Sequence, residues 1–230
     1  ATMADQTPHG RFMVYSAFRA IPAWHSLPKG EKGKAIAEYL ARVDDFKGRL
    51  ILRTYSTLGL KKDADFLLWS ISPDLDALQA LTEELRKTAL APYLEQSHNF
   101  LAVTRESLYL KGHTEEVKVT VEPGQATYLF VYPFVKTREW YLLPMEERQK
   151  MMNEHIRIGH QFPAIRINTA YSFGLDDQDF MVSFEGEDPK EFVTLVMRLR
   201  ESKGSVYTVR DTPIFTCVKR PLEEILWSLG

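Results

Sequence analysis

An internal repeat limits the possible folds of this chain more than any other feature of its sequence. The segment that starts at Tyr15, YSAFRAIPAWHSLP, resembles the segment that starts at Tyr132, YPFVKTREWYLLP. A second pair of similar segments follows, YSTLGLKKDADFLLWS at 55–70 and AYSFGLDDQDFMVSF at 170–184. Corresponding landmarks are separated by 114 to 117 residues and keep the same order. Such self-similarity at a fixed spacing indicates duplication of one structural unit.

Each half of the sequence predicts the order strand, helix, strand, strand, helix, strand. RFMVYSAF and ATYLFVYPFV are rich in β-branched and aromatic residues, as strands are. KGKAIAEYLARV and PMEERQKMMNEHIRIG carry apolar residues at helical spacing, and Pro144, Glu146 and Glu147 mark a helix N-terminus. The order βαββαβ is that of a ferredoxin-like unit. We therefore predict an α+β chain of two tandem ferredoxin-like domains, 1–112 and 113–230.

Composition excludes several classes of protein. The chain has 29 basic and 31 acidic residues and a formal net charge of -2, which argues against a nucleic-acid partner. A single cysteine, Cys217, permits neither an internal disulfide nor a thiolate metal site. No apolar run approaches the length of a membrane span. We expect a cytoplasmic protein.

His155 is the leading candidate for a metal ligand. It belongs to an apolar stripe of its helix that includes Met152 and Phe162, so its imidazole is predicted to point inward. Gly159 follows one turn later and is predicted to leave an open place for a flat ligand. The alternative is a core histidine bonded to a backbone carbonyl, and the spacing alone favours that alternative. Only the second half has this histidine, because Tyr39 occupies the corresponding place in the first.

A second candidate is the strand segment Tyr132-Pro-Phe-Val-Lys136. Strand alternation puts Tyr132, Phe134 and Lys136 on one face. A phenol that can be oxidised and a cation that can bind a carboxylate or assist proton movement would then share a pocket. The alternative is a strand end with a solvated Lys136, which is the better interpretation of the segment alone. Trp140 is expected in the core under both interpretations.

The segments YPFVK, EWYLLPMEER, MMNEHIRIGH, YSFGLDDQDF and DPKEFVTLVMRLR together resemble the chlorite dismutase / coproheme decarboxylase family. The resemblance covers most of the second half closely and reaches the first half through the repeat. It implies a fold of the dimeric α+β barrel type and a homo-oligomer, with a homopentamer favoured. It also implies an iron porphyrin held by a helix histidine, a role that falls on His155 as the metal ligand.

Within that family, the Tyr-Pro-x-x-Lys strand resembles coproheme decarboxylases. The resemblance implies that haem b is made from iron-coproporphyrin III with hydrogen peroxide. Tyr132 would form a radical that abstracts hydrogen from the propionates, and Lys136 would aid each decarboxylation. The remaining porphyrin contacts that the resemblance implies are Lys118, Trp140 and Ile167, and Glu201 is a candidate partner of the histidine ligand.

The resemblance also bears on the side of the porphyrin opposite the histidine. Chlorite dismutases place an arginine on the strand before the GLDD turn, where this chain has Ile167, and Arg166 is expected on the opposite face. The apolar residue at position 167 resembles what the actinobacterial decarboxylases have there, and those enzymes use a histidine from the interdomain loop. The distal base stays open between His113, Arg166 and none. The alternative functions are a chlorite dismutase-like or peroxidase-like haem protein and a non-catalytic haem-binding or scaffold protein.

Overall fold

The computed structural model describes residues 10–110, 123–124 and 126–230. Lys118 and His113, two residues that the sequence singles out, lie outside the described residues. Within the described ranges, no helix is both long enough and apolar enough to cross a membrane.

The described residues form two compact units. The first contains residues up to Thr104 together with Thr216–Gly230, and the second lies within Arg105–Phe215. The sequence-based boundary placed the C-terminal segment in the second domain, and this assignment is wrong for 216–230. The reason is a long-range strand pairing, Tyr55 with Lys219 and its neighbours, which sequence periodicity does not reveal.

The first unit is an antiparallel sheet covered by helices. Its strands lie in the order β4-β1-β3-β2-β9, where β9 enters the unit at Thr216. Its α3 helix begins at the Asp74 cap, whose side chain accepts a hydrogen bond from the Asp76 N–H. The elements are β1 Phe12–Ala20, α1 Pro22–His25, α2 Lys29–Asp44, β2 Ile51–Ser56, β3 Phe66–Ser72, α3 Leu75–Arg86, β4 Leu94–Val103, β9 Phe215–Lys219 and α7 Leu222–Trp227.

The second unit repeats this arrangement. Its antiparallel strands pair in the order β6-β7-β5-β8. Its α6 helix starts with Asp188 as cap and Pro189 in the first turn, as the corresponding α3 starts with an aspartate cap. The elements are β5 Tyr128–Lys136, α4 Arg138–Leu142, α5 Met145–Gly159, β6 Arg166–Tyr171, β7 Phe180–Gly186, α6 Pro189–Arg200 and β8 Thr208–Arg210. The predicted α+β fold with a duplicated βαββαβ order is confirmed.

Hydrogen bonds at the end of the first strand of each unit align the two copies. In the first unit, the Ala20 N–H donates to Asp65 Oδ2 at 2.8 Å. In the second unit, the Lys136 N–H donates to Asp179 Oδ2, also at 2.8 Å. Ala20 is therefore the counterpart of Lys136.

The same alignment corrects the repeat as read from the sequence. Strand registers make Ser16, which pairs with Leu68, the counterpart of Tyr132, which pairs with Val182. Tyr15, which the sequence comparison matched to Tyr132, lies one position away. Because one step along a strand reverses the side chain, the two tyrosines occupy opposite faces.

An apolar cluster between helices and sheet forms the core of each unit. In the first unit this cluster includes Tyr39 of α2 and is completed by Leu222, Ile225 and Leu226 of α7. The α7 helix packs closely on α2, since a Cβ at Gly33 would lie 3.4 Å from the Trp227 ring. Among its described residues, the second unit has no counterpart of α7. Its buried cluster consists of Phe130, Tyr132, Ile158, Ile165, Phe184, Phe192 and Leu195.

Leu226→Ala tests whether α7 is part of the first unit's core. Leu226 is 0% exposed, so its truncation leaves a cavity and is expected to lower the free energy of unfolding by about 2–5 kcal/mol. Chemical denaturation followed by circular dichroism measures the change. Val206→Ala is the control, because that valine is 74% exposed and its loss should change stability by less than about 0.5 kcal/mol. Equal stability of the two variants would contradict this role of α7.

Candidate functional site

The helix-facing side of β5 brings together the side chains that the sequence predicted on one face. Tyr132 belongs to the buried cluster that α5 and α6 share with the sheet, and its ring lies 6.0 Å from the Phe184 ring and 6.5 Å from the Phe134 ring. The Lys136 Nζ lies 5.5 Å from the Phe134 ring centre. Tyr132, Phe134 and Lys136 thus follow each other along one side of the strand.

The Tyr132 phenol is buried and keeps its proton. Within the described part of the chain, its hydroxyl makes no hydrogen bond. Burial raises the pKa of Tyr132; the charge of Asp211 raises it further, and that of Arg200 lowers it. These two charged residues form an ion pair, with Arg200 Nη2 donating to Asp211 Oδ2 at 2.8 Å. This pair could not be predicted from the sequence, because no motif connects an arginine at a helix end with an aspartate after β8.

Lys136 lies at the end of β5 and is not simply solvated. Its Nζ donates to the Gly204 carbonyl at 3.0 Å and lies 4.3 Å from the centre of the Trp140 ring. Burial lowers the pKa of Lys136 to about 8. Because an amine is charged below its pKa, Lys136 is mainly a cation at neutral pH and gives up its proton more readily than an exposed lysine does.

Trp140 is buried beside this cation, as both interpretations of the sequence expected. It lies in the short α4 helix, where its backbone N–H donates to the Thr137 side chain at 3.2 Å. Its ring contacts two tyrosines, with ring centres 5.5 Å away at Tyr207 and 6.4 Å away at Tyr109. Lys136, Trp140 and these two rings form one continuous group.

His155 is a partly buried histidine of α5 with an uncommitted imidazole. Among the residues that the structure describes, none forms a hydrogen bond with it, so the carbonyl-bonded core histidine of the alternative interpretation is not observed. Burial lowers the pKa of His155 to about 4, and the charge of Lys136 lowers it as well. The ring is therefore neutral at physiological pH, which is the protonation state that binds a metal.

Gly159, one helical turn after His155, lies close to Ile167. A Cβ built on Gly159 would lie 3.7 Å from Ile167 Cδ1, an ordinary contact. An alanine side chain would therefore fit at position 159 without displacing Ile167. Ile167 pairs with Phe184 of β7 and shares the helix-facing side of the sheet, so Arg166 lies on the other side by strand alternation.

Glu201, a candidate partner of His155 in the sequence, is oriented elsewhere. It caps the C-terminus of α6, its side chain is exposed, and its carboxylate lies 3.8 Å from Arg198. Within the described residues it makes no bond to His155. The expectation fails because Glu201 follows the last turn of α6, where the side chain points to solvent.

The donor set of this face fits a porphyrin rather than a bare ion. The described residues contain no group of three or more histidine, cysteine or acidic side chains that could hold a metal alone. A single neutral imidazole is suited to be the axial ligand of an iron whose other ligands belong to a macrocycle. The aromatic side chains of this face suit its apolar body, and Lys136 and Arg200 are cations that suit carboxylates at its edge.

Comparisons with known proteins agree with this description. A coproheme decarboxylase from Mycolicibacterium smegmatis is 31% identical over 220 residues, which cover 95% of this chain and 94% of that protein. A mutant chlorite dismutase from Candidatus Nitrospira defluvii matches with a TM-score of 0.91 and 27% identity, covering 97% of both chains. The chlorite dismutase of the same organism in complex with imidazole matches with a TM-score of 0.89 and 27% identity, covering 97% of this chain and 96% of that one.

The match extends over nearly the whole sequence rather than one motif. A family model described as chlorite dismutase matches residues 4–220. This range includes both copies of the repeat and all the described residues of the candidate site. The chain belongs to the chlorite dismutase family.

Proposed function

We propose that this chain is a peroxide-dependent coproheme decarboxylase of haem biosynthesis, which converts iron-coproporphyrin III to haem b. The observation that carries the proposal is the combination of the uncommitted His155 imidazole with Tyr132 and Lys136 on one face of β5. The similarity to the coproheme decarboxylase from Mycolicibacterium smegmatis supports it. We expect a cytoplasmic homo-oligomer, with a homopentamer favoured.

The reaction sets a clear chemical task for the protein. Each propionate that becomes a vinyl group loses carbon dioxide and one hydrogen from the neighbouring methylene carbon. Each conversion releases two electrons, and these reduce one molecule of hydrogen peroxide to two molecules of water. Two propionates react, so the enzyme must hold the same substrate in two successive positions or orientations.

His155 would bind the iron through its neutral imidazole. When bound, the iron porphyrin would supply the centre that activates peroxide. The low pKa of His155 keeps the ligand unprotonated throughout the physiological range, since an imidazole is neutral above its pKa. Trp140 and Ile167 would line the macrocycle. Lys118, outside the described residues, would contact a propionate.

Tyr132 and Lys136 would perform the chemistry on the propionates. The buried Tyr132 phenol keeps its proton, so it can give up a hydrogen atom and regain one from the propionate methylene. Lys136 is a cation that can attract the carboxylate, and its pKa near neutrality also suits it to move a proton. The two side chains point to the same face of β5, so one bound substrate can contact both.

A chlorite dismutase-like or peroxidase-like activity is the second candidate. The TM-score of 0.91 to a chlorite dismutase favours it. Against it, position 167 carries an isoleucine that cannot donate a hydrogen bond, and Arg166 lies on the opposite side of the sheet.

A non-catalytic haem-binding or scaffold role is the third candidate, because an apolar residue at 167 does not help to cleave peroxide. A distal base from His113 would answer this objection.

His155→Ala tests the iron ligand. We expect the variant to lose the Soret band shift that coproheme shows on binding to the wild type, because no imidazole remains to bind the iron. Absorbance titration with coproheme measures the shift. His160→Ala is the matched control, since this exposed histidine caps the same helix and should be dispensable. A His155→Ala spectrum equal to that of the wild type would remove the ligand assignment.

Tyr132→Phe tests the hydrogen-abstracting residue. The variant should bind coproheme with an unchanged Soret band, yet the porphyrin should keep its full mass after peroxide is added, because the phenol is absent. Mass spectrometry of the extracted porphyrin measures the outcome. Tyr128→Phe is the control on the same face of the same strand. Complete conversion by Tyr132→Phe would exclude the phenol from the mechanism.

A further inference from the structure

We propose that the Lys136 ammonium group protects the Trp140 indole from oxidation and thereby keeps the oxidising equivalent on Tyr132. This inference rests on the proposed peroxide-driven function. It gives Lys136 a second task, electrostatic protection of a neighbouring ring, besides its contact with the propionate.

Lys136 is held at both its backbone and its ammonium group, and the ammonium group lies over the indole. Its Nζ lies 4.3 Å from the centre of the Trp140 ring, well within the range of a cation–π contact, and donates to the Gly204 carbonyl at 3.0 Å. The Lys136 N–H is held by Asp179 Oδ2 at 2.8 Å. The helix that carries the indole is capped, because the Trp140 backbone N–H donates to Thr137 Oγ1 at 3.2 Å, and the ring is packed against Tyr207. This geometry keeps a positive charge at the face of the ring.

Trp140 would otherwise be a competing site of oxidation. It is only 2% exposed and lies four residues beyond Lys136 in the chain, next to the predicted substrate. Its ring is followed by Tyr207 at 5.5 Å and Tyr109 at 6.4 Å, distances at which electrons pass readily between aromatic rings. An electron taken from Trp140 would be replaced from these rings, and the oxidising equivalent would leave the site before it reached a propionate.

A fixed cation discriminates between the two aromatic side chains. Removal of one electron from an indole produces a positively charged ring, which a nearby ammonium group repels, and screening is weak in a buried site. A phenol loses its proton together with the electron and becomes a neutral radical, so the same cation does not oppose it. The positive charge near Trp140 therefore favours oxidation at Tyr132.

The first unit provides a natural comparison. Trp24 is the counterpart of Trp140, but Ala20 stands where the second unit has Lys136, and Ser16 stands where it has Tyr132. The cation next to Trp24 is Lys32, from a different element and at 5.7 Å from the ring centre. The strand-end lysine thus occurs in the copy that has the oxidisable tyrosine.

Loss of the cation should be visible as oxygen inserted into Trp140. In that reaction the O–O bond of one peroxide molecule breaks, one oxygen replaces a ring hydrogen as a hydroxyl group, and the other leaves as water. Trypsin releases the peptide EWYLLPMEER, which contains Trp140 and the exposed Met145. Sulfoxide at Met145 reports general peroxide damage within the same peptide.

The experiment compares Lys136→Gln, Lys136→Arg and the wild type. Each is loaded with coproheme and given the same amount of peroxide, and the peptide is analysed by tandem mass spectrometry. Hydroxylated Trp140 should increase at least about ten-fold in Lys136→Gln and should stay near the wild-type level in Lys136→Arg, which keeps the charge. Met145 sulfoxide should be equal in all three. Equal Trp140 oxidation in Lys136→Gln and the wild type, or unprotected Trp140 in Lys136→Arg, would overturn the proposal.

A second arm separates this proposal from the proposed function. The porphyrin-free proteins are treated with hexachloroiridate(IV), a one-electron oxidant that needs no haem, and the same peptide is analysed. Faster oxidation of Trp140 in Lys136→Gln, with Trp24 unchanged, supports protection even if coproheme is not the substrate. Equal rates contradict it even if coproheme is converted.

Discussion

The carboxylate of Asp179 fixes the corner of the second unit on which the candidate site depends. Its Oδ2 accepts hydrogen bonds from the Lys136 N–H at 2.8 Å and from the Tyr141 hydroxyl at 2.7 Å. One oxygen thus joins the end of β5 to α4, and bonds to a charged acceptor are stronger than neutral ones. Because both elements are fixed, Lys136 lies over Trp140. Tyr132, four residues earlier on the same strand face, packs in the cluster that α5 and α6 share with the sheet.

The same corner exists in the first unit, so the duplication explains both what the units share and how they differ. Asp65 binds the Ala20 N–H as Asp179 binds that of Lys136. The backbone scaffold is therefore common, whereas the chemical groups are present in one copy only. In the first unit the space between helices and sheet is filled by Tyr39 and completed by α7. The second unit, in its described part, has no such covering helix, and the His155 imidazole makes no hydrogen bond with the described residues.

Local patterns in the sequence were sufficient to predict most of the fold and one face of the site. Strand alternation gave the common face of Tyr132 and Lys136, and helical periodicity gave the inward position of His155. Sequence comparison misplaced the register between the copies, because the identity of Tyr15 with Tyr132 favours an alignment one residue away from the one that strand pairing gives. Nor could it reveal the return of 216–230 to the first unit or the carbonyl that binds Lys136 Nζ. These features depend on residues distant in the chain.

Removal of two carboxylates from coproheme with peroxide is the activity that we propose for this chain. Its most direct test is a titration of the wild-type coproheme complex with hydrogen peroxide, in which the mass of the extracted porphyrin is followed, while oxygen release from chlorite is measured in parallel. The proposed activity predicts two successive losses, each of carbon dioxide and two hydrogen atoms, and no appreciable oxygen from chlorite. A porphyrin of unchanged mass together with rapid oxygen release would contradict it.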